Sequence, residues 1–299
     1  MIAPPDGAAS HLALQVAGRT GVPVISLSGD SSVSQTGVRW MARISPRTVE
    51  EARALFQRCS GDVHAKSVRR WAALAPTGRA GREIGKDLAR GAQTAGVAVP
   101  EIIEVGGLSA DLRVVSRQVL TNRADGVLLW LAPAFAGSAA KALQQAGFKG
   151  RLAGPGWLRC STFLAAAGCN GPNCLTAVPL LLPVDDLRFR EFQREYRARF
   201  GRLPDFAAAL SHDAALLLIH VLREAGDRPA HQAFPLTFDL PAVTGVLAFD
   251  AEGNRKLKLQ VSEIGLNPLD WVPHNTDSPW GSWESRAQAG GARQNAATP

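Results

Sequence analysis

The chain is poor in cysteine, and its few cysteines follow no metal-binding or catalytic pattern. There are four in 299 residues, without the closely spaced Cys and His pairs of a zinc site, so we predict no metal. Cys169 and Cys174 flank a tight polar loop. A disulfide between them is one interpretation if the compartment is oxidising, and two free thiols is the other.

Long apolar runs and targeting segments are also missing. No run approaches the roughly 20 apolar residues of a membrane span, so we predict no direct membrane insertion. Residues 1–7 have neither the basic region nor the apolar core of a signal peptide, and the chain as written is expected in the cytoplasm. A hydrophobic content of 46% and a charged content of 20% indicate a soluble globular protein.

The sequence signatures of enzymes and of nucleic-acid binding are absent as well. Residues 78–81 lack the Lys-Ser/Thr pair of a phosphate loop, and residues 154–156 are not a dinucleotide fingerprint. Asp185 and Asp186 stand at a predicted helix start, where acids suit the helix dipole. The net charge of +7 comes from scattered Arg without interleaved aromatics. We therefore predict no enzymatic activity, no cofactor and no nucleic-acid partner.

What the chain does have is a regular alternation of strand and helix patterns between residues 68 and 157. The strand patterns lie at 68–75, 101–105, 126–131 and 150–157, and the helical patterns at 83–95, 112–121 and 137–146. This order predicts a parallel sheet with crossover helices. Ligands of such sheets bind at the carboxyl ends of the strands. The loops that follow these ends are 76–81, 130–135 and 154–158.

The flanking segments predict further elements of the same α/β kind. On the amino-terminal side they are a helix at 8–20, strands at 21–26 and 40–44, and a helix opened by a capping box of Thr48 and Glu51. On the carboxyl-terminal side they are helices at 161–167, 185–200 and 205–225, strands at 176–182 and 257–264, and a hairpin turn at 250–253.

Three segments, in this order, resemble the type I periplasmic substrate-binding proteins, the Leu/Ile/Val-binding family of ABC importers. They are Gly21-Val-Pro-Val-Ile-Ser with Trp40-Met-Ala-Arg downstream, the alternating unit that ends Gln144-Gln-Ala-Gly-Phe-Lys-Gly150, and Phe192-x3-Tyr196-x3-Phe200-Gly followed by His212-Asp213 and Gly245-x3-Phe249-Asp. The resemblance covers roughly residues 1–265. It implies two Rossmann-like lobes with parallel sheets, which close on a ligand held between them.

Transferred to this chain, the family fold places three crossovers between the lobes, near residues 45–46, 182–183 and 247–248. Lobe 1 is then 1–45 with 182–247, lobe 2 is 46–181 with 248–270, and 271–299 is a partly disordered tail. Lobe 1 is expected to be incomplete, because family members begin with a signal peptide and further strand–helix units. Either the chain is an N-terminally truncated form of a longer, periplasmic protein, or it is a truncated paralogue.

The resemblance also points to ligand-binding positions. In amino-acid binders of this family, hydroxyls and backbone N–H groups of lobe 1 hold the ligand, and an acid of lobe 2 completes the ammonium site. These positions fall on Asp6, Gly7, Ala8, Ser28, Gly29, Asp30, Ser31, Ala80 and Gly156. Trp130 and Trp157 stand at strand ends and are candidates to stack on a ligand, although packing is the alternative for both.

Most of the amino-acid signature is missing at these positions. Gly7 replaces the expected Ser, and Gly156 replaces the expected acid. Without that acid, nothing from lobe 2 offsets the cost of burying an ammonium, so we expect that leucine does not bind. Asp30 would instead favour a cationic or hydroxyl-rich ligand, unless it only caps a helix.

The resemblance implies a solute-binding component of a branched-chain-amino-acid-type ABC transporter. Such a protein binds a small molecule between its lobes without chemistry, and lobe closure changes the surface seen by the importer permease. A ligand-sensing receptor or regulator on the same fold is the alternative.

Overall fold

The computed structural model describes residues 1–60, 68–168, 174–179 and 186–265. Within this part of the chain there are eight α-helices and eleven strands. The strands are β1 (Ile2–Ala3), β2 (Val24–Ser26), β3 (Met41–Arg43), β4 (Trp71–Pro76), β5 (Glu101–Val105), β6 (Gly126–Leu129), β7 (Arg151–Pro155), β8 (Cys174–Pro179), β9 (Leu240–Ala242), β10 (Gly245–Leu247) and β11 (Leu259–Glu263). The helices are α1 (Gly7–Thr20), α2 (Thr48–Ser60), α3 (Arg79–Ala95), α4 (Leu112–Thr121), α5 (Pro133–Gln145), α6 (Ser161–Ala167), α7 (Leu187–Phe200) and α8 (Phe206–Ala225).

The largest sheet has six strands in the order β11-β8-β7-β6-β4-β5. All neighbouring pairs are parallel except β11, which runs antiparallel to β8. The central strand β6 is apolar on both faces because helices cover both. Val127 and Leu129 pack with α4 and α5, while Leu128 packs with α2 and α3. The predicted parallel sheet with crossover helices is therefore confirmed.

A smaller parallel sheet has the order β1-β2-β3. Helix α8 covers one face, where Leu210 and Leu217 pack against Ile25. Helix α1 covers the other face, where Leu14 packs against Val24. By length and composition alone, α8 is long and apolar enough to cross a membrane, and in the structure its buried residues pack on this sheet.

The two sheets are joined at the end of β3. Arg43 N donates to Gly253 O at 2.8 Å, and Arg255 N donates to Arg43 O at 3.1 Å. The segment that leads to β11 is thus attached to the smaller sheet before it enters the larger one. The predicted crossover at 182–183 and the tail at 271–299 lie outside the described residues, and the lobe boundaries stay a prediction.

A buried polar network holds α8 to the turn between β9 and β10. Asp213 is fully buried and accepts from Val243 N at 3.0 Å and from Thr244 N at 2.8 Å. The Arg255 guanidinium donates to Thr244 O at 2.7 Å and to Ile44 O at 3.4 Å. These bonds connect α8, the β9–β10 turn and the end of β3.

The predicted capping box of α2, Thr48 with Glu51, is shifted by one residue, because Thr48 is already the first residue of the helix. Arg47 N donates to Glu50 Oε2 at 3.0 Å, so Glu50 and not Glu51 supplies the cap. Glu51 instead accepts from Gly156 N at 2.8 Å, in the loop after β7. The same acidic pair fits two registers in the sequence, and only the tertiary contact distinguishes them.

The possible disulfide between Cys169 and Cys174 stays a prediction, because Cys169 lies outside the described residues. Cys174 is buried at the start of β8, where burial raises the pKa of its thiol.

Candidate ligand-binding cleft

A cavity of about 540 Å³ lies between the two parallel sheets. Its lining comes from the carboxyl ends of strands on both sides. The smaller sheet contributes Pro5, Asp6, Gly7, Ala8, Ser28, Gly29 and Asp30, after β1 and β2. The larger sheet and its helices contribute Thr48, Glu51, Pro76, Arg79, Ala80, Glu83, Ile84, Asp87, Trp130, Leu131, Ala132, Pro133, Pro155 and Trp157, and α8 adds Ala207. This is where ligands of open α/β sheets bind.

The structure brings nine of the eleven predicted site residues to this cavity. They are Asp6, Gly7, Ala8, Ser28, Gly29, Asp30, Ala80, Trp130 and Trp157. The other two, Ser31 and Gly156, are buried and do not line it. Contact of any of these residues with a ligand stays a prediction.

Asp6 stabilises the start of α1. It is the N-cap of α1, and its carboxylate oxygens accept from Ala8 N at 2.9 Å and from Ala9 N at 3.1 Å. These bonds satisfy two backbone donors that the first turn of a helix leaves unpaired. They also hold the first turn of α1 at the cavity wall.

The side chain of Asp30 fills the space that a side chain at residue 7 would need. A Cβ at Gly7 would lie 2.3 Å from Asp30 Oδ2, so only glycine lets this carboxylate sit there. Asp30 Oδ1 caps a short 3-10 helix, Ser31–Gln35, by accepting from Ser32 N at 2.9 Å. Its Oδ2 lies 4.0 Å from His11 Nε2. Asp30 therefore does cap a helix, the structural alternative to a ligand-binding role, but the cap uses only one of its two carboxylate oxygens.

Gly156 is also a position where a side chain has no room. A Cβ there would lie 2.7 Å from Phe206 Cε1 of α8. A carboxylate nevertheless reaches this place, because Glu51 Oε1 accepts from Gly156 N. Glu51 is only 3% exposed, and this burial is the main reason why its pKa rises from 4.5 to about 8. A buried carboxyl group from α2 therefore lies beside residue 156.

Asp87 connects α3 to the opposite side of the cavity. Its Oδ2 accepts from Ser31 N at 3.2 Å, in the 3-10 helix that follows β2. Asp87 is buried, and burial raises its pKa, while the hydrogen bond from Ser31 N acts in the other direction. Arg90 lies 3.9 Å away but is mostly exposed. This contact therefore joins the two walls of the cavity.

The two candidate tryptophans differ in how much they are engaged in packing. Trp130 is 7% exposed and belongs to the core beneath α2 and α3. Trp157 is half-buried, and its ring packs edge-on against Phe206 with centroids 5.9 Å apart. Trp157 thus keeps more surface for a ligand than Trp130 does.

Several charged residues of the cavity were missed by sequence reasoning: Glu51, Arg79, Glu83 and Asp87. Glu51 had been assigned to a capping box, and the others belong to a helix face that reads as ordinary solvated surface. The one signal in the sequence that points to Arg79 is its place in the loop at 76–81, which follows a strand end. Nothing local in the sequence marks Asp87, whose role depends on contact with Ser31.

A parallel sheet on each side of a cavity, with both sets of strands ending there, is the arrangement expected of type I periplasmic binding proteins. The chain belongs to this family, since residues 1–255 match the family model described as periplasmic binding protein. A search of curated proteins finds no match.

Solved structures agree on the fold. A leucine-binding protein of Thermotoga maritima superposes with a TM-score of 0.76 at 14% identity, over 89% of this chain and 76% of the other. A solute-binding protein of an R. palustris ABC transporter, solved with benzoate, gives 0.76 at 18% identity, over 89% and 74%. A branched-chain amino acid binding protein of Streptococcus pneumoniae, solved with isoleucine, gives 0.73 at 17% identity, over 88% and 78%. At such identities the likeness establishes the fold and leaves the ligand open.

Proposed function

We propose that this protein is the solute-binding component of an ABC importer, and that it binds a small molecule in the cleft without transforming it. The observation that carries the proposal is the cavity itself, which receives strand ends and polar side chains from both sheets. Its volume of about 540 Å³ suits a small organic solute. The related structures, of a leucine-binding protein and of proteins solved with isoleucine and with benzoate, support the same class of function.

The partners follow from this function. The ligand is a small molecule, and the second partner is a membrane permease that recognises the closed form. We further propose that the protein works outside the cytoplasm, as the description of its family implies. Closure is driven only by the difference in ligand affinity between the open and closed forms.

A thermal-shift screen of the purified chain tests the proposal. The panel contains amino acids, aromatic acids and amines, and we expect at least one solute to raise the melting temperature in a concentration-dependent way. Ala80→Trp fills the cavity from the first turn of α3 and is expected to abolish the shift.

The matched control for this screen is Arg113→Trp, an exposed position on α4 that does not line the cavity. It is expected to respond to the solute like the wild type. The proposal fails if the hit is consumed on incubation, if no solute shifts the melting temperature, or if Ala80→Trp responds as strongly as the control.

A further inference from the structure

The charges on the cavity wall narrow the class of ligand, an inference that rests on the function proposed above. Among the described lining residues there are five carboxylates and a single basic side chain, Arg79. The carboxylates belong to Asp6, Asp30, Glu51, Glu83 and Asp87. With Glu51 mostly protonated at pH 7, the other four acids still outnumber the one Arg, and an anionic ligand would meet a wall of mostly the same sign.

Two of these carboxylates are already engaged. Asp6 caps α1 with both oxygens. Glu83 pairs with Lys86 at 2.8 Å on the outer turn of α3. Arg79 is exposed, so an ion pair between it and a ligand carboxylate would be weakened by solvent.

Glu51 is different, because its carboxyl group is buried and only one of its two oxygens accepts a hydrogen bond in the described part of the chain. Its Oε1 accepts from Gly156 N, but among the described residues no group donates a hydrogen bond to its Oε2. Its charged neighbour on α2 is Glu50, whose negative charge raises the pKa of Glu51 further. A buried carboxyl group with a free oxygen, lining a cavity, is a site for a hydrogen-bond donor or a cation.

Asp30 and Asp87 reinforce the negative potential of the same wall. Asp30 Oδ2 has no hydrogen bond from the described residues, with His11 Nε2 4.0 Å away. Asp87 has a distant, exposed Arg90 as its ion-pair partner. Arg43 is buried behind the wall, and its charge offsets part of that of Asp30 and Asp87. Within the residues that the structure describes, no comparable cation lowers the pKa of Glu51.

We propose that the ligand is an amine: a primary ammonium group on an apolar or aromatic body, with the ammonium donating to Glu51 and the body lying against Trp157 and Ile84. Trp157 keeps exposed ring surface in the cavity, and Ile84 lines it from α3. An arriving ammonium ion favours the ionised form of Glu51. Because its pKa is near 8 without ligand, ionising it at pH 7 costs only about a factor of ten.

Calorimetric titration of the full chain with three probes of similar shape tests the inference. The probes are phenethylamine, 2-phenylethanol and 3-phenylpropionate, which carry a positive charge, no charge and a negative charge. We expect phenethylamine to bind about tenfold more tightly than 2-phenylethanol, and 3-phenylpropionate to bind most weakly. Glu51→Gln keeps the shape and removes the charge, and it should lower the affinity for phenethylamine about tenfold while changing that for 2-phenylethanol little.

The matched control is Glu104→Gln, which removes an exposed carboxylate of β5 outside the cavity and should leave all three affinities unchanged. If 2-phenylethanol or 3-phenylpropionate binds as well as phenethylamine, the charge inference is wrong and the solute-binding function stands. If Glu51→Gln binds phenethylamine like the wild type, Glu51 is not its partner. If none of the three probes binds, the inference is overturned, while the solute screen decides the function separately.

Discussion

Two glycines in the cleft show why a residue cannot be judged by its type alone. In the sequence, Gly7 and Gly156 read as lost ligand groups. In the structure each leaves room for a specific neighbour: Asp30 beside Gly7, and Phe206 beside Gly156. Carboxyl groups that line the cavity stand at other positions, Glu51 on α2 and Asp30 after β2, which inspection of residues 7 and 156 alone does not reveal.

Restoring the family hydroxyl at residue 7 should therefore damage the protein. The Cβ of Gly7→Ser would lie 2.3 Å from Asp30 Oδ2, so the carboxylate must shift and its cap weakens. We expect a loss of about 1–3 kcal/mol in the free energy of unfolding, measured by urea denaturation. Gly106→Ser is the control, because its Cβ meets nothing within 4 Å. Equal stability of both variants would contradict the claim that the Asp30 carboxylate leaves no room for a side chain at residue 7.

Glu51 should give the protein a measurable dependence of stability on pH. Its pKa is about 8 when folded against an ordinary 4.5, so between these values the folded state binds more protons than the unfolded state. Its contribution to stability is therefore fully present below about pH 4.5 and is lost as the pH rises to about 8, by up to roughly 1.4 kcal/mol per pH unit.

The measurement is the free energy of unfolding of wild type and Glu51→Gln at pH 5, 6.5 and 8. Since glutamine does not titrate, the variant should gain stability relative to the wild type as the pH rises. Other buried carboxylates such as Asp87 remain in both proteins and cancel in the difference. A difference that is constant across this range would show that burial does not perturb Glu51.

At the scale of elements, most of the fold could be predicted from the sequence. Helices α4 and α6 have the predicted bounds, and the predicted strands of the large sheet are all present. Apolar periodicity and caps suffice for this, because both are local. Helix α5 begins at Pro133, four residues before the prediction, since a proline at the first position suits a helix start. The sequence pattern had placed this turn in a loop.

The contact between α3 and the 3-10 helix after β2 holds the two walls of the cavity together. Asp87→Ala removes the acceptor for Ser31 N and leaves that donor unpaired. Losing this bond should stabilise the open form relative to the closed form by about 1–3 kcal/mol. We therefore expect faster amide exchange at Ser31 and a larger radius of gyration by solution scattering. Arg90→Ala should change neither quantity, since its pair with Asp87 is long and exposed. An unchanged exchange rate in Asp87→Ala would mean that this bond does not hold the walls.

At the scale of the whole molecule, the predicted fold class and family are confirmed, whereas the binding site stays a prediction. The rule that ligands bind at strand ends points to loops that line the cavity. It could not identify Glu51 or Asp87, because their position at the cavity depends on how α2 and α3 pack against distant segments. Amino-acid type predicts the helix and sheet layers and the apolar core well. It predicts poorly which polar groups form hydrogen bonds across the cavity.

The central claim is that one small molecule is held between the two sheets by groups from both. Hydrogen–deuterium exchange of the full chain, with and without a solute that binds, tests it most directly. The account predicts that the solute slows exchange in two separate segments at once, residues 28–35 after β2 and residues 79–87 of α3. Protection confined to one of these segments, or located away from both, would contradict it.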